Sequence, residues 1–187
     1  FFDVDRYLDD DPECMVSIVD SGIRYDPTPP RIIRIVANIS VSGGVSAISM
    51  VLRGAAICAL SQILERHEVR VEIDLVSTCP EFPGLETYVK IKRSDEALHM
   101  SNVVFHLAHP SSLRRMMFSC WEHFDDSTRH RFGFYAGAGY GGTCESDDTG
   151  DIYLPVRGSP WSANEASTLK WIEQELKKQG IEVKKGE

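Results

Sequence analysis

No C-x-x-C spacing occurs among the five cysteines Cys14, Cys58, Cys79, Cys120 and Cys144. An odd, scattered set argues against a disulfide framework and fits reduced thiols in a cytosol. Net positive charge is also missing. The formal net charge is -8, which argues against broad electrostatic attachment to nucleic acid or to an anionic membrane. Neither is an expected partner. No apolar run approaches the ~20 residues that span a bilayer. "GAGYGG" (137–142), though spaced as G-x-G-x-x-G, does not lead directly into a helix and is no dinucleotide fingerprint, and the nucleotide fingerprint G-x-x-x-x-G-K-[ST] is absent. So are G-x-S-x-G and a flanked cysteine, which leaves no Ser-His-Asp or Cys-His nucleophile context. There is no internal repeat. The chain opens on "FFDVDRYLDDDPECM", with neither a methionine nor a signal-peptide pattern. We therefore expect further sequence before it, which could carry function of its own.

What is present is enough apolar residue for a sizeable core: 42% hydrophobic and 26% charged over 187 residues. Residues 1–30 read as an N-terminal arm with the turn "YDPTPP", and residues 31–187 as a single domain. "RIIRIVANIS" is β-branched and almost continuously apolar, the mark of a strand buried on both faces. "VSAISMVLRGAAICALSQILERHE" follows as a helix, capped by Ser46 or Ser49, with small residues Gly54, Ala55 and Ala56 for close packing. "VRVEIDLVS" and "TYVKIK" alternate as a hairpin pair. Two helices broken near Pro110 come next, then the polar glycine-rich loop "AGAGYGGTCESDDTGD" and the short strand "IYLPV". The last helix has a capping box of Ser162 and Glu165, ends near Gly180, and leads into a possible strand "IEV". This order predicts an α/β domain: a central, mostly parallel sheet with one antiparallel hairpin and helices on both faces.

In open α/β sheets ligands gather beyond the carboxyl ends of the strands. The first strand ends in "NISVSGG", which puts Asn38, Ser40 and Ser42 there. "NISVS" resembles the D-x-S-x-S metal-ion-dependent adhesion site of von Willebrand factor A domains, with Asn in the Asp position. "YGGT" (140–143) is similar to the Gly-Gly-Thr of that fold's second metal loop. "IYLPVRGSP" resembles the strand that carries the family's last metal turn. The likeness implies a von Willebrand factor A-like fold over residues 31–183. With Asn38 for an anionic ligand and Arg157 near the last Asp position, it implies a degenerate metal site and no tight magnesium binding. Asn38→Asp, above all with Arg157→Asp, is expected to restore that affinity. A second resemblance, in "PECM", "RGAAICALSQILE", "AHPSSLRRMMF" and the "GYG" loop, is to an uncharacterised group of phage-encoded proteins.

Together these imply a non-enzymatic binding or assembly protein, in a host cytoplasm or a virion. A protein partner would dock on a rim of residues 38–46, 137–144 and 157–161. Asn38, Ser40, Ser42, Tyr140, Thr143, Arg157 and Trp161 are the candidate contacts, with no cofactor. The alternative is a metal-dependent or phosphate-processing enzyme. Its zinc would sit on His106, His109, Cys120 and His123, at i, i+3 spacings on adjacent helices, or its magnesium or phosphate at the glycine loop 137–143. Cys120, among Met116, Met117, Phe118 and Trp121, reads as core. Arg114, Arg115, Arg129, His130 and Arg131 form a locally basic stretch that Asp125 and Asp126 can neutralise.

Overall fold

A computed structural model describes residues 30–40, 45–79, 85–109, 111–132, 143–156 and 164–181. Strands β1 (Ile32–Asn38), β2 (Arg70–Cys79), β3 (Leu85–Lys92) and β4 (Ile152–Leu154) form one sheet in the order β3-β2-β1-β4. β1 is central and pairs in parallel with both β2 and β4, while β3 runs antiparallel to β2. This is the α/β class expected, with its mostly parallel sheet and single hairpin. The helices are α1 (Ala47–Arg66), α2 (Met100–Ala108), α3 (Phe118–Glu122), α4 (Asp126–Arg131) and α5 (Glu165–Lys178). A π-helix, Ser112–Met117, runs into α3.

The alternation of β1 sorts its side chains. Ile33, Ile35, Ala37 and Ile39 point into one cluster with Ile57, Leu60 and Leu64 of α1, Val103 and Leu107 of α2, and Trp171, Ile172 and Leu176 of α5. These helices thus gather on one face of the sheet. α1 begins at Ser46, whose hydroxyl accepts from the Ser49 amide at 3.2 Å. It is 20 residues long and apolar enough to cross a membrane by length and composition. That corrects the expectation that no apolar stretch approaches such a length; here the helix covers the sheet. Its small residues do what their size suggests. A Cβ on Gly54 would stand 2.9 Å from the Cβ of Ala108. Gly54→Ala should therefore destabilise by about 1–3 kcal/mol through overpacking, even though alanine is the better helix former. Urea unfolding would show the midpoint falling; an unchanged or higher midpoint would mean that α1 and α2 separate freely.

Two local expectations change. Asn164, not Ser162, caps α5, accepting from the Ala166 amide at 2.8 Å; Ser162 lies outside the described residues. Cys120 is exposed, while Met117 and Trp121, four apart, are buried. In α3, which follows the π turn, Cys120 faces out and Trp121 Nε1 donates to Thr87 Oγ1 at 2.8 Å.

The opposite face of the sheet is polar. Among the described residues, segment 143–151 crosses it. Arg34 there donates through Nε to Asp74 and through Nη1 to Asp148, each at 2.6 Å. Gly150, at φ +54°, passes so close to β1 that a Cβ would lie 2.8 Å from the Arg34 carbonyl. The Arg34 hydrogen bond, then the Gly150 amide, hold the Asp148 carboxyl below the usual range. Its contribution is present above the unfolded carboxylate value, about 3.9, and is lost as pH falls through the lower folded value. Asp148→Asn should flatten the acid limb of a stability-versus-pH curve. An identical limb would show that this partly exposed pair contributes nothing.

Candidate functional site

The carboxyl end of β1 is occupied by a closed hydrogen-bond network. Asn38 is fully buried. Its Nδ2 donates to the Cys144 carbonyl at 3.0 Å and to the Tyr153 hydroxyl at 3.2 Å. Its Oδ1 accepts from the Ser40 amide at 3.0 Å. Only an amide side chain offers two donors and an acceptor in this arrangement. Ser40, 3% exposed, turns toward β2: its Oγ accepts from the Thr78 amide at 2.6 Å. Thr78 Oγ1 donates to the Cys144 carbonyl at 2.7 Å. The strand ends therefore tie residues 144–146 down onto the sheet.

Two further side chains close the network. The Tyr153 hydroxyl donates to Glu145 at 2.8 Å and accepts from the Ser146 amide at 2.9 Å. Burial, first, raises the Tyr153 hydroxyl above its ordinary pKa. Arg53 of α1 is 2% exposed and donates to the carbonyls of Asn38, at 2.8 Å, and Pro155, at 2.7 Å. Desolvation pushes its pKa down to about 9, so it stays cationic at neutral pH. Arg53 thereby anchors the chain on both sides of the β1–β4 pair.

The expected rim residues sort as follows. Asn38 and Ser40 are present at the rim but are buried and bonded within the fold. In this arrangement they hold the rim from beneath. Thr143 is half-buried and begins the described part of the returning segment. Ser42, Tyr140, Arg157 and Trp161, and the loop 137–142, lie outside the described residues. Sequence reading passed over Arg53, Thr78, Glu145 and Tyr153. Arg53 carried a usable signal, being a lone cation inside the apolar run "MVLRGAAICAL". Such a charge needs partners if the helix is buried.

The histidine–cysteine set is not brought together. Among the described residues no group of three or more His, Cys, Asp or Glu could hold a metal ion. His106 Nδ1 lies 3.2 Å from Ser112 Oγ, and desolvation lowers its pKa. His109 Nδ1 accepts from the Ser111 amide at 3.2 Å, and its ring stacks on Phe105. His123 Nδ1 lies 2.6 Å from the Ser119 carbonyl, so that nitrogen carries the proton. In the basic stretch, Arg129 pairs with Asp126 as expected, while the Arg131 guanidinium lies 5.4 Å from the Phe132 ring centroid.

No curated protein and no solved structure matches the chain. One family model does, over residues 1–183, which takes in the N-terminal arm as well as the sheet domain. With nearly its whole length so matched, the chain belongs to the family described as a domain of unknown function, DUF7192.

Proposed function

We propose that this chain is a non-enzymatic binding or assembly module that docks a protein partner at the carboxyl rim of its sheet. The observation that carries the proposal is the network joining Asn38, Ser40 and Thr78 to Cys144. It fixes the segment that begins at Thr143 on a rigid framework, as preorganised recognition surfaces require. The Asn38 amide, buried and bonded within the fold, also fits a degenerate adhesion site. A magnesium ion needs free, hard oxygens, and the single oxygen of Asn38 is engaged by the Ser40 amide. The resemblance to von Willebrand factor A domains supports the choice of rim, and the resemblance to phage-encoded proteins supports an assembly role in a host cell or virion.

A photo-crosslinking amino acid at position 143 should capture a partner protein from the native source. The same group at Lys177, exposed on α5, should not. Equal capture from both positions would remove the rim from the proposal. Calorimetry should show no tight magnesium binding; micromolar affinity would restore the metal-site reading.

A further inference from the structure

β3 ends the sheet on one side. Its inner edge pairs with β2 over Leu85–Lys92. Its outer edge is open among the described residues, apart from Asn102 Nδ2 donating to the Ile91 carbonyl at 3.3 Å. Tyr88 and Val89 at its centre are 40% and 37% exposed. An open edge of this kind is a template for another strand.

The sequence of the edge says which strand fits. Residues 86–90 read Glu-Thr-Tyr-Val-Lys. A two-fold axis through Tyr88 sets this stretch antiparallel to itself. Glu86 then faces Lys90 of the second copy, twice; Thr87 faces Val89; and Tyr88 faces its own equivalent. Opposite charges and aromatics in register are the pairs that stabilise antiparallel strands, and a two-fold contact must be self-complementary in this way.

The two charged side chains are held ready. Glu86 accepts from Tyr88, from Ser146 Oγ at 2.9 Å and from the Asp147 amide at 3.1 Å. Lys90 lies 2.7 Å from Glu72 and 3.6 Å from Asp74. A carboxylate has about four acceptor positions and an ammonium three donors, so each retains capacity for a partner. The register also sets the limit of pairing. Lys90 pairs with Asp74 and Lys92 with Ile73, so Ile91 has no partner on β2 and bulges. Regular pairing on the outer edge stops at Lys90.

We propose that β3 is a dimerisation edge: a second copy of this chain pairs antiparallel about Tyr88, continuing the sheet from one protomer into the other. The edge borders the segment that the rim network holds, through Ser146 and Asp147, but the proposal does not depend on what docks at the rim. An edge lysine and a bulge are also devices that keep a sheet edge unpaired, and that opposite reading requires a monomer.

Sedimentation of the full chain decides between them. The wild type should be a dimer. Lys90→Glu and Glu86→Lys should each be monomers, because each sets like charges face to face. Mixed in equal amounts they should form a dimer, because every facing pair is then opposite in sign. Tyr88→Cys, on the axis, should give a disulfide-linked dimer on mild oxidation beyond any that wild-type Cys120 forms. A wild-type monomer at all concentrations overturns the proposal. So do charge variants that stay dimeric, or a folded mixture that stays monomeric. If the charge variants do not fold by circular dichroism, failure of Tyr88→Cys to crosslink overturns it.

Discussion

Asn38→Asp should cost about 3–5 kcal/mol at neutral pH, the penalty for leaving a buried charge without compensation. The substitution changes one atom. It replaces the Nδ2 that donates to Cys144 and Tyr153 with an oxygen facing a carbonyl 3.0 Å away. The Tyr153 hydroxyl can help only by withdrawing the proton it gives to Glu145. The loss should depend on pH in a defined direction. A carboxyl that folding disfavours as an anion has its folded pKa raised above the unfolded value. The penalty is then absent below about pH 3.9 and grows as pH rises above that value. Denaturant melts from pH 3 to 8 would show wild type and variant diverging with pH. Equal stability at pH 7 would mean that Asn38 is no latch. Recovery on adding magnesium, alone or with Arg157→Asp, would support the adhesion-site ancestry; no recovery would assign the "NISVS" likeness to turn chemistry.

Ile35→Ala should lose about 2–5 kcal/mol, the usual range for removing a large aliphatic side chain from a core. Ile35 is fully buried at the centre of the sheet. It lies beside Ile73 on β2 and Ile152 on β4, in the cluster that the helices cover. Neighbours on strands to both sides leave little room for collapse into the void, which favours the upper half of that range. Lys177→Ala on the exposed side of α5 should change the same urea midpoint very little. Similar losses from both would mean that the core lies elsewhere.

The central strand was legible because "IIRIVANI" is β-branched and almost continuously apolar, and the hairpin because β2 and β3 carry β-branched and aromatic residues around a turn-rich gap. The helix cap at Ser46 was legible for a local reason: one side chain answers one nearby amide. The partnerships of the rim were not. Asn38, Thr78, Cys144 and Tyr153 meet from three parts of the chain, and nothing in "NISVS" distinguishes an amide that binds a partner from one that binds Cys144. Short polar residues at a strand end have the same signature in both roles. The orientation of Cys120 was missed for another reason: it was read from its apolar neighbours, whereas Met117 and Trp121, four apart, mark the buried face of that helix and leave Cys120 off it.

The route of the chain through the sheet imposes an order of assembly. The Ser40–Thr78 bonds close a span of 38 residues, whereas Asp151 meets Arg34 across 117. Longer closures cost more entropy and come later. During synthesis β1, β2 and β3 can pair while residues 143–156 are still to be made. Until those residues arrive, Val36, Asn38 and Val76 line an uncovered face, and β1 has a second open edge where β4 belongs. Among the described residues the sheet then has two unguarded edges, and truncation before residue 152 should leave it so, prone to aggregate.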